Sequence, residues 1–584
     1  VGIGTDLPNI ESIQILKGPQ GTLYGRNATG GAILIKTLDP MFSTEGNIEA
    51  GYGRFNEAKA KLYLTTPLSS DLAVNVSAYY RRSDGFVRDV RTNDLLTKQH
   101  FVNLRSKLLW SPDSSTRILL TVSYDELSDP SALAMHAING NTAGNLVANS
   151  VPLADKRGFA SMNVRPVQEQ SGYSAVLDAQ TDIGFATLRS ISSYRKEKIH
   201  IENDLDSSYA QVGSSNFQQR FETYGEQLIL NGRAGRFLDW VAGVEYIYNN
   251  ARAPYYQVSG ATPGVPGSSG LKSDAFAAYV DGTAHLGKFS IIGGIRYSDE
   301  KKHKVFRRTT SGPWLIDVSK RFKDVTPRLG LQYAIDGRSN VYATWSKGFK
   351  SGTFNPTVND IIPVNPEKAT ANEVGFKTSQ PTFRLNTSAY YYRYSDIQVS
   401  AYDYTTGTSR LINAAKAEIY GAEANLTISP TREFDLHVGA AYTHARYSSS
   451  PGAIVNTPRP GGRTGNVTNI VDASGTVMIR APAFTASAGM NYRTDLGSGN
   501  IEFAVSGFYS SRVNYTFDER LQQDPYATLD GSITWNPNSR LRLIIWGRNL
   551  TNTDYAFFMT QTSNRDAVLP AAPRTFGVLA NYKF

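Results

Sequence analysis

The chain has 584 residues, 60 Lys and Arg against 51 Asp and Glu for a net charge of +9, and no cysteine. The missing cysteine excludes a disulfide scaffold and thiolate metal sites, and basic residues that are scattered rather than clustered argue against a nucleic-acid partner. No apolar run approaches the ~20 residues of a membrane helix, and no linker divides the chain into the several domains expected of a soluble protein of this length.

Residues 1–45 have their own texture. "NIESIQILKG" reads as a short strand carrying Ile10, Ile13 and Ile15, followed by a tight Gly-Pro turn. Gly18, Gly21, Gly25, Gly30 and Gly31 then offer positive φ and close backbone approach, and "AILIK" is a second strand. The run lacks the GxxxxGK[ST] order, and no helix pattern follows it, so a phosphate loop is set aside.

From Asn47 onward the dominant signal is alternation. Leu72, Val74, Val76, Ala78 and Tyr80 share one face, as do Phe276, Ala278, Val280, Ala284 and Leu286. Ile501, Phe503, Val505 and Tyr509 repeat the pattern, and Phe576, Val578, Ala580, Tyr582 and Phe584 end the chain with it. Such a sheet is apolar on one face and polar on the other. Short turns such as "LGK" and "NPNS" are expected to alternate strictly with long polar connections at Pro130–Gln168, Ala251–Ser273 and Tyr447–Ala481. Pairing each strand with its turn gives about 22 strands, the size of the large outer-membrane barrels. An even count leaves both ends on the short-turn side. Aromatics near strand ends, among them Trp110, Tyr124, Trp345, Trp535 and Tyr582, suit the headgroup level of a bilayer. No fixed repeat supports a propeller. The fold expected is all-β: a transmembrane antiparallel barrel over 46–584, its wide lumen holding a partial N-terminal plug formed by 1–45.

Several stretches carry a family resemblance. "IESIQILKGPQGTLYGRNATGGAILIKT" (Ile10–Thr37) resembles the last part of the plug of TonB-dependent outer-membrane receptors. "TPRLGLQYAIDGRSNVYATWSKGFKSGTFNP", "NPEKATANEVGFKT", "NAAKAEIYGAEANLTISP", "GRNLTNTDYA" and "APRTFGVLANYKF" resemble the barrel of the same family. The resemblance implies a siderophore-receptor type of importer, with Phe584 as the barrel-assembly signal and Tyr24, Arg26 and the five glycines at the gating region. It implies that Arg26 pairs with carboxylates on the inner wall. It also implies an N-terminal box that engages TonB; that box is not in this sequence, and the chain reads as a fragment of a longer precursor.

The cargo expected first is a ferric siderophore, with cobalamin, an oligosaccharide or another organic solute as alternatives, and a passive pore or adhesion barrel if the rest of the plug is truly absent. Tyr255, Tyr256, Trp314 and Arg459, in the connections "APYYQ", "SGPWL" and "NTPRPGGRTGN", are the candidate ligand contacts, since Tyr, Trp and Arg suit a bulky, partly anionic chelate. His437 and His444 fall on opposite faces of one strand, and the haem-receptor motifs of the family are missing, so no metal site or resident cofactor is expected. No nucleophile elbow is present and no enzyme activity is expected. The other partners are outer-membrane lipid and lipopolysaccharide around a monomer.

Overall fold

The structure, a computed structural model, describes residues 8–147, 151–260, 266–355, 360–403 and 408–584. Twenty-two antiparallel strands close into one barrel. Closure joins Glu45–Gly53 to Thr575–Lys583, with Asn47 opposite Lys583 and Gly53 opposite Gly577. Phe584 adds the last link: its N–H donates to the Gly46 carbonyl at 3.0 Å and its carbonyl accepts from Gly46 at 2.9 Å.

The period-two pattern explains which side faces out. Val76, Tyr80, Phe276, Val280, Val505, Tyr509, Phe576 and Val578 are all exposed. Asn75, Ser77, Asp281, Arg296 and Glu300, on the opposite faces of their strands, are buried. An apolar exterior around a polar interior suits hydrocarbon outside and water within. Ring contacts of 6.0, 4.8 and 6.1 Å link Tyr173, Tyr194, Tyr224 and Tyr248 across adjacent strands as one aromatic belt. Trp110, Phe289, Trp535 and Tyr582 mark the other.

One rim carries only tight turns, such as 68–71, 287–288 and 497–498. The other carries the long connections 129–166, 450–483 and 549–574. The strict alternation expected from sequence does not hold, because 54–56 joins two strands on the long-loop rim. The long connection expected at Ala251–Ser273 is also largely strand: Leu238–Ser259 and Gly267–Leu286 run through most of it. The reason is height. These strands have 22 and 20 residues, whereas ~9–11 span a bilayer. Above the lipid both faces are wet, so polarity no longer marks where a strand stops.

The N-terminal segment lies in the lumen. Ile10–Lys17 pairs with Gly31–Thr37, Ile13 opposite Ile35 and Ile15 opposite Ile33. A single α-helical turn, Gly21–Tyr24, sits at its tip. The sequence reading expects no helix there; two hydrogen bonds, Tyr24 N–H to Gln20 O and Gly25 N–H to Gly21 O, are too little to leave a helical period in the sequence.

Candidate functional site

The lumenal segment is held to the wall at points spread around the ring. Arg26 donates to Glu300 and, at 3.1 Å, to the Ser273 hydroxyl. Lys17 reaches Glu423 at 2.5 Å. Asp39, where the segment leaves for the first barrel strand, accepts from Lys107 at 2.8 Å and from Arg117 at 2.6 Å, and Lys107 also donates to the Thr37 carbonyl at 2.8 Å. None of the hydrophobic clusters among the described residues includes a residue of 8–44. The attachment is mainly polar, with close packing on the wall at Pro19 and Gly21, and the outward-turned isoleucines of the hairpin, Ile13, Ile15, Ile33 and Ile35, remain exposed within the lumen.

The helical turn sits where two adjacent strands part. Ile316–Ala334 pairs with Ser339–Lys350 only from Arg328 to Ala334, which frees the main chain above. Thr22 donates its hydroxyl to the Thr326 carbonyl at 2.9 Å, and Asn27 donates its N–H to the Phe349 carbonyl at 3.0 Å. One contact lies on each arm of the fork. Gly21 fits between them because a Cβ would stand 3.1 Å from the Lys347 carbonyl and 3.2 Å from both Gly348 Cα and Thr326 Cγ2.

Two further glycines are required by geometry. Gly25 has φ 76° and ψ −150°, a region open essentially to glycine alone. A Cβ there would come within 2.8 Å of the Arg296 guanidinium, which is committed to Glu245 at 2.6 Å. Gly31, at φ 146°, would drive a Cβ to 2.3 Å from the Leu16 carbonyl across the hairpin. Gly18 turns at φ 72° beneath the Tyr392 hydroxyl. Gly30 departs from expectation: its φ is not positive and nothing lies within 4 Å of its Cβ position. Tyr24 ends the helical turn with its side chain exposed.

Over the mouth, loops from distant hairpins form a roof. His136–Thr142 pairs with Arg565–Pro570, which pairs with Ala556–Gln561. At its centre Asp566 accepts from Arg520 at 2.6 and 2.9 Å, from Asn141 at 2.7 Å and from Asn466 at 3.0 Å, so four loops meet on one buried carboxylate. Beside it Arg565, fully buried, donates to Ser207 and lies 3.7 Å from Asp204. Burial lowers the affinity of the Arg565 guanidinium for its proton and raises the Asp206 carboxyl above its ordinary value. A cleft of about 640 Å³ opens beside this sheet, lined by His136, Asn139, Asp155, Arg463, Arg520 and Met559 among others.

The structure does not gather the four candidate ligand residues in one place. Tyr255 and Tyr256 lie in the strand Leu238–Ser259, not in a loop. A bulge sets Tyr255 opposite Gln218 and Tyr256 opposite Phe217, so that Tyr256 packs on Phe306 of the inner wall at 6.3 Å while Tyr255 takes the opposite face. Trp314 is in a connection, half exposed, with the Arg307 guanidinium 4.6 Å from its ring. Arg459 is exposed at the tip between Ala453–Pro458 and Asn466–Val471. Thr22, Asp39 and the roof residues Asn141, Asn466, Arg520 and Asp566 escaped sequence reading, since no local motif marks them, and Asn27 begins an "NAT" triplet that gives no hint of its main-chain contact with the wall. His437 bonds Thr427 at 3.1 Å and His444 stacks on Tyr420 at 4.5 Å.

Residues 109–550 match the family model described as TonB dependent receptor-like, beta-barrel. The pesticin receptor of Yersinia enterocolitica is 24% identical over 99% of this chain and 82% of its own length. The crystal structure of the ferric yersiniabactin uptake receptor FyuA from Yersinia pestis superposes with a TM-score of 0.86 at 20% identity, covering 99% of this chain and 86% of that one. The siderophore receptor PiuA from Acinetobacter baumannii gives 0.81 at 17% identity, with the same coverage. With a closed 22-stranded barrel and a family match across most of its length, the chain belongs to the TonB-dependent receptors of the Gram-negative outer membrane.

Proposed function

We propose that this chain imports a ferric siderophore, with residues 1–45 acting as the C-terminal part of a plug and 46–584 as the barrel, in a cycle driven through TonB. The observation that carries the reading is the polar attachment of the lumenal segment. The exposed ion pairs and single hydrogen bonds contribute about 0–1 kcal/mol apiece and the buried Arg26–Glu300 contact about 1–3 kcal/mol, so a pull transmitted from outside the barrel detaches them one after another. An apolar core of the same extent would resist as a unit. The glycine-rich tip around Gly18, Gly21, Gly25, Gly30 and Gly31, with Tyr24 and Arg26, is the part that moves, and the four-isoleucine face suits packing against further plug residues.

The cargo follows from chemistry and from the relatives. The relatives named as receptors for a ferric siderophore share this architecture. Tyr256, Trp314 and Arg459, together with the cleft beside Arg463 and Arg520, offer stacking and cationic contacts suited to such a chelate. Release requires that the pulled state bind the chelate more weakly than the resting one. In this reading the barrel works as a monomer.

Titration of the full-length receptor with ferric hydroxamate, phenolate and catecholate chelates tests the cargo, followed by uptake of the bound chelate into cells with and without an uncoupler. The proposal expects tight binding of one ferric chelate and uptake that stops when the ion gradient is collapsed. Tight binding of a glycan with no binding of any ferric chelate contradicts it.

A further inference from the structure

We infer that Asn139 is a site of self-modification: the main-chain nitrogen of Gly140 attacks its side-chain amide, and a carboxylate is left in the cleft beside the roof sheet. The chemistry is independent of the imported solute. Only its effect on binding rests on the function proposed above.

The first observation is a bulge. In the roof, Ala137 stands opposite Ala567 and Thr142 opposite Arg565. Between those two pairs Ile138, Asn139, Gly140 and Asn141 face a single residue, Asp566, and none of the four has a cross-strand partner. The ladder is open there. Asn139 has φ 51° and Gly140 φ 69°, a left-handed turn that glycine adopts freely and asparagine tolerates. Asn139 is exposed, and Asn145 holds the Gly140 carbonyl at 2.9 Å, which keeps the peptide in place while its nitrogen stays out of the ladder.

The second observation is a comparison within the chain. Asn-Gly occurs once more in the sequence, at Asn231 and Gly232. There Asn231 is paired with Thr187 on one side and Val241 on the other, and Gly232 with Ala186 and Trp240. A Cβ on Gly232 would lie 2.8 Å from the Trp240 ring. The same dipeptide is thus locked in the barrel wall and released in the roof.

Glycine after asparagine leaves no Cβ to obstruct the approach of its nitrogen. Gly140 N bonds to Asn139 Cγ, the Cγ–Nδ2 bond breaks, and the Gly140 amide proton departs with ammonia. Water then opens the five-membered imide at either carbonyl. One opening gives aspartate, the other isoaspartate, whose main chain is longer by a methylene. The new charge arises in the cleft that Asn139 lines together with Arg463 and Arg520, where it competes with an anionic chelate for the guanidinium groups. The longer main chain of isoaspartate also displaces Asn141, which donates to Asp566 at 2.7 Å.

The test ages the folded full-length receptor at mildly alkaline pH and reads the peptides carrying Asn139 and Asn231 by mass spectrometry, with isoaspartate methyltransferase as a second probe. Deamidation is expected at Asn139 and not at Asn231 in the folded protein, and at both after denaturation. Gly140→Ala is expected to suppress it. Asn139→Gln, which keeps the amide and leaves the backbone unstrained, is expected to abolish it. Equal rates at the two asparagines in the folded protein, or an unmodified Asn139, overturns the inference. Asn139→Asp is expected to weaken binding of the ferric chelate relative to Asn139→Gln. Equal binding by these two variants, with the modification itself observed, strikes instead at the role of the cleft in holding the cargo.

Discussion

The Thr22 hydroxyl donates to the main-chain carbonyl of Thr326 at 2.9 Å, so a side chain of the lumenal segment caps a strand that its neighbour has left. A backbone group freed by parting strands must be paired or hydrated. The lumenal segment supplies that partner and is thereby registered against the wall. Thr22→Val keeps the shape and removes the donor, a change of about 1 kcal/mol. Hydrogen exchange is expected to quicken at residues 20–27 and 324–327 and to stay unchanged on the far side of the barrel. Uniform exchange across the protein contradicts this role.

Arg26 and Glu300 make the most buried of the ion pairs on the segment, and Ser273 shares both partners. Glu300→Gln leaves Arg26 facing a neutral amide, at a cost of about 1–3 kcal/mol. The barrel's heat-modifiability in SDS is expected to survive, while liposomes carrying the full-length variant swell faster in a small sugar than those carrying the parent protein. Unchanged swelling shows that the pair does not hold the segment in place.

Gly25→Ala meets two obstacles together: a backbone region foreign to alanine, worth about 1–3 kcal/mol, and the Arg296 guanidinium 2.8 Å from the new methyl. Displacing Arg296 breaks its contact with Glu245. Gly30→Ala is the matched control, because its Cβ position is open. Protease sensitivity of the segment is expected to rise for the first variant and not for the second. Equal behaviour of the two contradicts the geometry.

In the roof, Asp206 lies outside the membrane with its carboxyl raised above the ordinary value, burial being the largest cause. The folded roof therefore holds this proton more tightly than the unfolded loop does. The stability so conferred is complete below the unfolded carboxylate value near ~3.9 and declines as pH rises through the folded one. Protection of residues 205–213 and 562–570, corrected for intrinsic exchange, is expected to be greater at acid than at neutral pH, and because burial also raises Asp204, to about 7, the paired change Asp204→Asn, Asp206→Asn is expected to flatten the dependence. Protection that grows with pH contradicts the assignment.

Asp566 ties four loops through Arg520, Asn141 and Asn466. Asp566→Ala leaves the buried Asn141 and Asn466 amides without their shared acceptor, while Arg520 keeps the Asn456 carbonyl and Gln561, an effect of about 1–3 kcal/mol on the roof. The expected signature is loss of protection in His136–Thr142 and Ala556–Gln561, with the barrel wall intact by circular dichroism. Retained protection in both strands shows that the roof does not depend on this carboxylate.

How much of this was legible in the sequence depends on where water lies. Within the bilayer one face of each strand is dry, and the alternation through Val76, Val280 and Val578 reports it faithfully, down to the strand count. The first barrel strand starts at Glu45, within two residues of where alternation begins. Above the bilayer the contrast fades, which is why Tyr255 and Tyr256 read as loop and stand in a strand. The Arg26–Glu300 pair was half visible: the family resemblance implies a carboxylate partner for Arg26, but Glu300 lies 274 residues away and becomes its neighbour only when the barrel closes. The roof was invisible for the same reason, Asn141 and Asn466 being 325 residues apart.

The central claim is that the lumenal segment must leave the wall for solute to pass. The chain has no cysteine, so an engineered pair gives an unambiguous lock. A Cβ on Gly348 would lie 2.9 Å from Pro19 Cβ, a small relaxation short of the ~3.5–4.5 Å of a disulfide. The receptor carrying Pro19→Cys and Gly348→Cys is expected, when oxidised, to bind its ferric chelate normally and import none, and to recover import on reduction. Undiminished import by the oxidised, fully cross-linked protein would contradict the account.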